Sequence, residues 1–237
     1  PAAGSTHTYI TQSLSTDSPQ QTFTEEDLEL VAAMADMCGL TLGYRRVRAE
    51  QREAHLSAIR AMLRASEMRA PALRGHSDRV ATYAVAIAKQ MGLPESEREN
   101  LQLAALLHDV GRLVVDNSES GPDADRRRQD ATIEIVGEMA NAGELVSTIK
   151  NMREWFDGSG PGGLLGENIP RSARILAVAL EFEVRANIAG GGLKPQEALR
   201  RAAMTISEEA GRHFDPEVVK AMLIAHRNGA FFATPLE

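Results

Sequence analysis

A histidine–aspartate pair closes an apolar stretch at Leu106-Leu107-His108-Asp109-Val110-Gly111. Imidazole nitrogen and carboxylate oxygen are both ligands for Zn, Fe or Mn, and a carboxylate can bridge two ions. The pair falls where an apolar helix meets a loop, a place that suits a metal ligand set or a capped helix end with a hydrogen-bonded histidine. A second histidine, His76, starts a helix 32 residues upstream, in Arg74-Gly75-His76-Ser77-Asp78-Arg79-Val80. Trp155 and Phe156 precede the loop Asp157-Gly158-Ser159-Gly160-Pro161-Gly162-Gly163. They read as core anchors for that loop, or as a face on which a base stacks. Arg126-Arg127-Arg128 reads as a solvated loop, with a bound phosphate or acidic partner as the alternative. His213 and His226 have no carboxylate neighbours at ligand spacing and read as surface or hydrogen-bonded histidines.

These groups must be held by helices. Val80, Ala84, Ile87 and Met91 share one face of a helix over 76–91 that stops at Gly92. A second runs from Pro94 to Val110. A polar loop then leads into a helix around 131–140, and another covers about 145–155. The glycine density of 157–163 demands a loop. Helices over 171–188, 195–210 and 216–227 follow, the last two with proline in the tolerated first turn. Upstream, Thr24 caps a helix whose first turn is acidic, and Leu28, Val31, Met34 and Cys38 recur at helical spacing. Residues 8–14 alternate as one strand. From Leu40 to Met68 the residues Leu40, Tyr44, Val47, Gln51, Ala54, Ala58, Ala61, Ala65 and Met68 step by four and three, the pattern of a paired helix. A long helix lying on its own domain is the plainer alternative.

Composition narrows the class. The chain has 237 residues, 43% hydrophobic and only 4% aromatic, which favours packed helices over a β-sandwich. A net charge of −7 argues against general nucleic-acid binding, which needs surplus cations. One cysteine, Cys38, cannot form an internal disulfide and fits a reducing, cytoplasmic compartment. No apolar run approaches the roughly 20 residues of a membrane span.

Taken in order, Gly75-His-Ser-x-Arg-Val and Ala104-Ala-Leu-Leu-His-Asp-Val-Gly resemble the HD superfamily of metal-dependent phosphohydrolases. Glu154, Asp157-Gly158-Ser159-Gly160, Leu164-x-Gly166-Glu167-x-Ile169-Pro170, the Ala173–Ala179 stretch and Gly211-x-x-Phe214-Asp215-Pro216-x-Val218-Val219 are similar to its HD-GYP branch. The resemblance implies an all-α HD-domain bundle of five or more helices. It also implies a metal-dependent hydrolase of cyclic di-GMP, with His76, His108 and Asp109 as metal ligands and Asp109 and Arg112 as catalytic groups. Arg112, Arg153 and Arg174 are the candidates for holding phosphate.

The departures carry equal weight. Family ligand positions are occupied by Ala72, Asp130, Met152, Arg153 and Leu180. The lysine after the HD pair is Arg112, and the tyrosine of the GYP signature is missing between Gly160 and Pro161. Three surviving ligands suffice for one ion, Fe or Mn, or for none, whereas two or three ions need about four to six donors each. Arg153 is expected to set a fixed cation beside the site and to pair with Asp109.

These observations predict a signalling output domain that is impaired or inactive toward cyclic di-GMP and acts by binding or by changing shape. The alternatives are a phosphodiesterase using the reduced His/His/Asp site, with Glu154, Asp157, Asp130 or Glu181 recruited as ligands, and a non-catalytic cyclic-dinucleotide receptor. Residues 1–39 resemble the end of a GAF sensor domain, 40–70 form a helical linker and 71–237 the output domain. A homodimer through the linker helix and a protein partner in a signalling pathway are expected. Nucleic acid and membrane are not.

Overall fold

Proline, glycine and capping residues set where the helices begin and end. The computed structural model describes residues 24–68, 73–115, 121–189 and 193–231, which hold eight α-helices and no strand. They are α1 (Glu25–Glu67), α2 (His76–Gln90), α3 (Glu95–Leu107), α4 (Pro122–Gly137), α5 (Gly143–Asn151), α6 (Arg171–Ala189), α7 (Pro195–Ser207) and α8 (Pro216–Arg227). The expected all-α bundle is what the chain builds. The strand expected over 8–14 and the Ala72 position lie outside the described residues.

Helix α1 starts as its sequence directs: Asp27 N–H donates to Thr24 Oγ1, and Thr24 N–H returns a bond of 2.8 Å to Asp27 Oδ2. It then runs unbroken to Glu67, across both the 39/40 and the 53/54 positions. The chain divides into two compact units at Glu53/Ala54. In the first, the described residues are the cap Thr24 and helix, and all but Arg52 are exposed.

The second unit owns the core. Helix α2 packs against α3, α6 and α8, and α6 also packs on α7. Val80, Ala84, Ile87 and Ala88 of α2 are fully buried, as are Ile175, Leu176, Val178 and Ala179 of α6. Tyr83, Phe182 and Phe231 close one end as a ring trio 4.9–5.1 Å apart, with Tyr83 edge-on to Phe182. Burying Ile87 alone is worth about 1.5–3 kcal/mol, and Ile87→Ala would cost about 2–5 kcal/mol once the cavity is counted.

Several boundaries differ from expectation; α7, for one, ends at Ser207 and not at 210. Helix α4 begins at Pro122, so Arg126, Arg127 and Arg128 are helical and Arg128 is 5% exposed. Proline in the first turn and Asp123 and Asp125 beside it supply the start signal that the charge run obscured. Helix α3 ends at Leu107, and Val110–Leu113 turns as a short 3₁₀ helix. Helix α5 ends at Asn151, leaving Trp155 in the following loop. Among the described residues, no helix is long and apolar enough to cross a membrane.

Candidate functional site

His76 opens α2 and His108 follows the last residue of α3, so the packing of α2 on α3 brings the two imidazoles together. They are 7% and 4% exposed, and their Nε2 atoms face each other at 3.3 Å. The other nitrogen of each ring is spoken for. His108 Nδ1 lies 2.8 Å from the Ala105 carbonyl and must donate to it. His76 Nδ1 lies 2.6 Å from Glu183 Oε2, on α6. Burial pushes the Glu183 carboxyl up, but hydrogen bonds and charge from His76 and Arg79 outweigh it and hold the pKa below the usual range. An ionised carboxylate accepts, so His76 Nδ1 carries the proton. Burial, then the neighbouring His76, lowers the His108 pKa to about 4, which keeps that ring neutral near pH 7.

Two lone pairs on Nε2 cannot face each other at this distance without a positive centre. Either one Nε2 carries a proton and donates it, or a cation takes that place. This orientation, with Nδ1–H anchored on an acceptor, is also how ligating histidines are held. The donor set stops there, however. Asp109 is turned to Arg112, whose Nε donates to its Oδ2, while Arg79 donates to Glu183 Oε1 at 2.8 and 2.5 Å. Among the described residues no three His, Cys, Asp or Glu groups converge on one point, whereas a catalytic zinc-type centre holds three protein ligands. As arranged, two imidazoles do not fit such a centre.

The remaining predicted residues are scattered. Asp109 pairs with Arg112 and not, as expected, with Arg153, which is exposed; the i, i+3 spacing in a tight turn brings Arg112 there first. Arg174 is taken by Asp215 and the Ile169 carbonyl. Met152 is buried in the core, Leu180 is partly buried against it, and Asp130 is exposed. None of the acids considered as substitutes is directed to the imidazoles. Glu154 accepts from Gly162 N–H and Leu164 N–H at 2.6 and 3.2 Å, Asp157 accepts from Ser159, and Glu181 pairs with Arg185. His213 does have a carboxylate, Glu209, at 3.1 Å one helical turn back, and it stacks on Trp155 with ring centres 4.3 Å apart. Trp155 therefore anchors the glycine loop.

Glu183 was not singled out in the sequence, and Arg79 entered only as part of the Gly75-His-Ser-x-Arg-Val motif, with no role given. The signal for Glu183 was present: an acid lying on the buried stripe of Ala179, Phe182 and Ala186. Its partners are 104 and 107 residues away, which spacing cannot reveal.

Residues 60–218 match the family model described as the HD domain. The chain is 31% identical over 186 residues to the cyclic di-GMP phosphodiesterase response regulator RpfG of Xanthomonas campestris pv. campestris, covering 73% of this chain and 49% of that protein. It is 30% identical over 220 residues to the 3'3'-cGAMP-specific phosphodiesterase 2 of Vibrio cholerae serotype O1, covering 86% of this chain and 41% of the relative. A crystal structure of a cyclic GMP-AMP-specific phosphodiesterase of V. cholerae, V-cGAP3, superposes with a TM-score of 0.52 at 20% identity, over 67% of this chain and 45% of that one. The chain thus spans less than half the length of these proteins.

Proposed function

The chain belongs to the HD-domain family, and from that premise we propose that it is a cyclic-dinucleotide signalling output domain of HD-GYP type that works without turnover. One observation carries the reading. Both carboxylates that adjoin the imidazole pair are already neutralised by arginines, Asp109 by Arg112 and Glu183 by Arg79. A fixed guanidinium repels a divalent ion and takes the charge an ion would have met. Output then comes from binding or from a change of shape passed to a protein partner in the cytoplasm. Residues 1–39 are read as the end of a GAF-like sensor, and 40–70 as its helical linker.

Purified chain reconstituted with Mn or Fe is expected to leave cyclic di-GMP and 3'3'-cGAMP intact, with well under one ion bound per chain by elemental analysis. Turnover that Asp109→Ala abolishes would overturn this.

A second reading rests on the facing Nε2 atoms of His76 and His108, which are held as ligating imidazoles are. It is a one-ion phosphodiesterase, in which Asp109 joins the pair once released from Arg112. A bound ion there would lower the pKa of water and polarise a phosphoryl oxygen. One ion per chain, lost in His108→Ala, supports it over the first. A receptor without catalysis is the least supported, because Arg112 and Arg174 are already paired and Arg153 alone of the three phosphate candidates is exposed.

A further inference from the structure

A stack of side chains ties the glycine loop to α6 and to the segment between α7 and α8. His213 lies against Trp155, with ring centres 4.3 Å apart, and against Phe214, at 4.2 Å. Two rings cannot share one face at that spacing, so each covers one. Guanidiniums close both ends: Arg212 lies over Trp155 at 5.6 Å, and Arg185 over Phe214 at 5.9 Å. Trp155 leads into the loop and Arg185 is on α6, while Arg212, His213 and Phe214 lie between α7 and α8. The same segment also holds the loop by its backbone. Phe156 N–H donates to the His213 carbonyl at 3.1 Å, and Asp157 N–H to that of Arg212 at 2.9 Å.

The charges around His213 do not balance. Its Nδ1 lies 3.1 Å from Glu209 Oε2, and Arg185 donates to both Glu209 Oε1 and Glu181 Oε1 at 2.8 Å. Burial pushes the Glu209 carboxyl up, but bonds and charge from Arg185 and His213 outweigh it and hold it below the usual range. Asp157, on the loop, is held low chiefly by hydrogen bonds from Ser159, with the charges of Arg212 and His213 adding to them. The other acids nearby are committed elsewhere. Glu154 accepts from the Gly162 and Leu164 amides, and Asp215 from Arg174 and Glu217 N–H. Glu181, Glu209 and Asp157 thus stand against Arg185 and Arg212, and the cluster is one cation short. His213 can supply it. Its side chain is 23% exposed, so a proton reaches it without opening the fold.

We propose that His213 is a proton-operated clamp on the glycine loop. Charged, it pairs with Glu209, attracts Asp157 and presents a cation to the faces of Trp155 and Phe214. The contacts with Asp157 and Trp155 draw the loop toward the segment before α8. Two cations oppose this. Arg185 is already met by two carboxylates, and Arg212 lies against the indole that the imidazole also stacks on, so attraction prevails. Neutral, His213 keeps the hydrogen bond to Glu209 and the ring contacts, and the loop falls back on its two amide bonds. Imidazole is the side chain that ordinarily changes charge near neutral pH. The loop therefore tightens on mild acidification and loosens as the proton leaves. The clamp needs neither a metal nor a nucleotide, and it stands whether or not the site at His76 and His108 turns over substrate.

Trp155 is the single tryptophan of the chain, so its fluorescence reports on the clamp directly. A protonated imidazole in contact with an indole quenches its emission, and a neutral one does not. Between about pH 8 and about pH 5 the emission of the whole chain is expected to fall along one titration, and His213→Gln to abolish the fall. Glu209→Gln removes the charge that faces the ring and should move the midpoint about one pH unit lower. Acrylamide, an uncharged quencher, reads the loop itself. Its access to Trp155 should drop as the parent is acidified and stay constant in His213→Gln. Emission that does not change with pH, a fall that survives His213→Gln, a midpoint unmoved in Glu209→Gln, or equal acrylamide access at the two ends of the titration would each overturn the proposal.

Discussion

Glu183 and Glu154 are both buried carboxylates, 2% and 7% exposed, yet they are compensated in opposite ways. Glu183 is met by side chains, the guanidinium of Arg79 and the imidazole of His76. Glu154 is met by backbone, the amides of Gly162 and Leu164. The first arrangement ties two helices, α2 and α6, together and depends on groups from distant parts of the chain. The second is local and depends on the path of one loop. A carboxylate held by cations fails when the charge balance is disturbed; one held by amides fails when the backbone moves.

The largest effect is expected at the cation-held site. Glu183→Gln keeps the shape but takes the carboxylate from the part-buried Arg79, which keeps only the Arg74 carbonyl, and should lower the unfolding free energy by about 3 kcal/mol in a urea titration. Acid should attack the same region. His108 has a pKa of about 4 when folded and 6.5 as a free side chain, so the unfolded chain takes up the proton first. Stability is full above about pH 6.5 and falls toward pH 4, by on the order of 3 kcal/mol. Glu183, also depressed, adds to the loss below its ordinary 4.5. Urea midpoints at pH 7, 5.5 and 4 check this, and His108→Asn should flatten the profile between the first two. At the amide-held site, Gly160→Ala is expected to cost about 2–3 kcal/mol, because its Cβ would lie 2.4 Å from Trp155 N. Gly162→Ala should cost less, since its Cβ meets the movable end of Glu154 at 2.5 Å. An order reversed between these two would show that the loop is less fixed than the carboxylate. Asp130→Ala, on the exposed side of α4, should change stability by less than about 0.5 kcal/mol.

The same contrast explains what the sequence disclosed. Helix ends written in proline and glycine, at Gly92, Pro195 and Pro216, are local chemistry and could be read directly. So could His76 and His108, whose flanking residues fixed them at helix ends. The beginning of α4 was misread because Arg126-Arg127-Arg128 looks like a solvated run, while Arg128 is buried and bonded to Asp125. Asp109 was assigned the wrong arginine, since Arg112 becomes its neighbour only when the chain tightens after Leu107. Glu183 belongs to no local pattern, and Arg79 sits in a local motif that says nothing of Glu183; packing alone makes them partners.

Glu67 accepts from Gly75 N–H at 2.7 Å and from Ser77 N–H at 3.4 Å, closing the amino end of the helix that begins with His76. It lies one residue before Met68, where the four-and-three spacing that begins at Leu40 ends. A side-chain oxygen rides about 5–6 Å from its helix axis. Twisting α1 by about 20° would therefore sweep that oxygen through about 2 Å, enough to unseat it from both amides. The last turn of α1 and the first turn of the helix that carries His76 thus share two bonds, at Gly75 and Ser77, which such a rotation would break together.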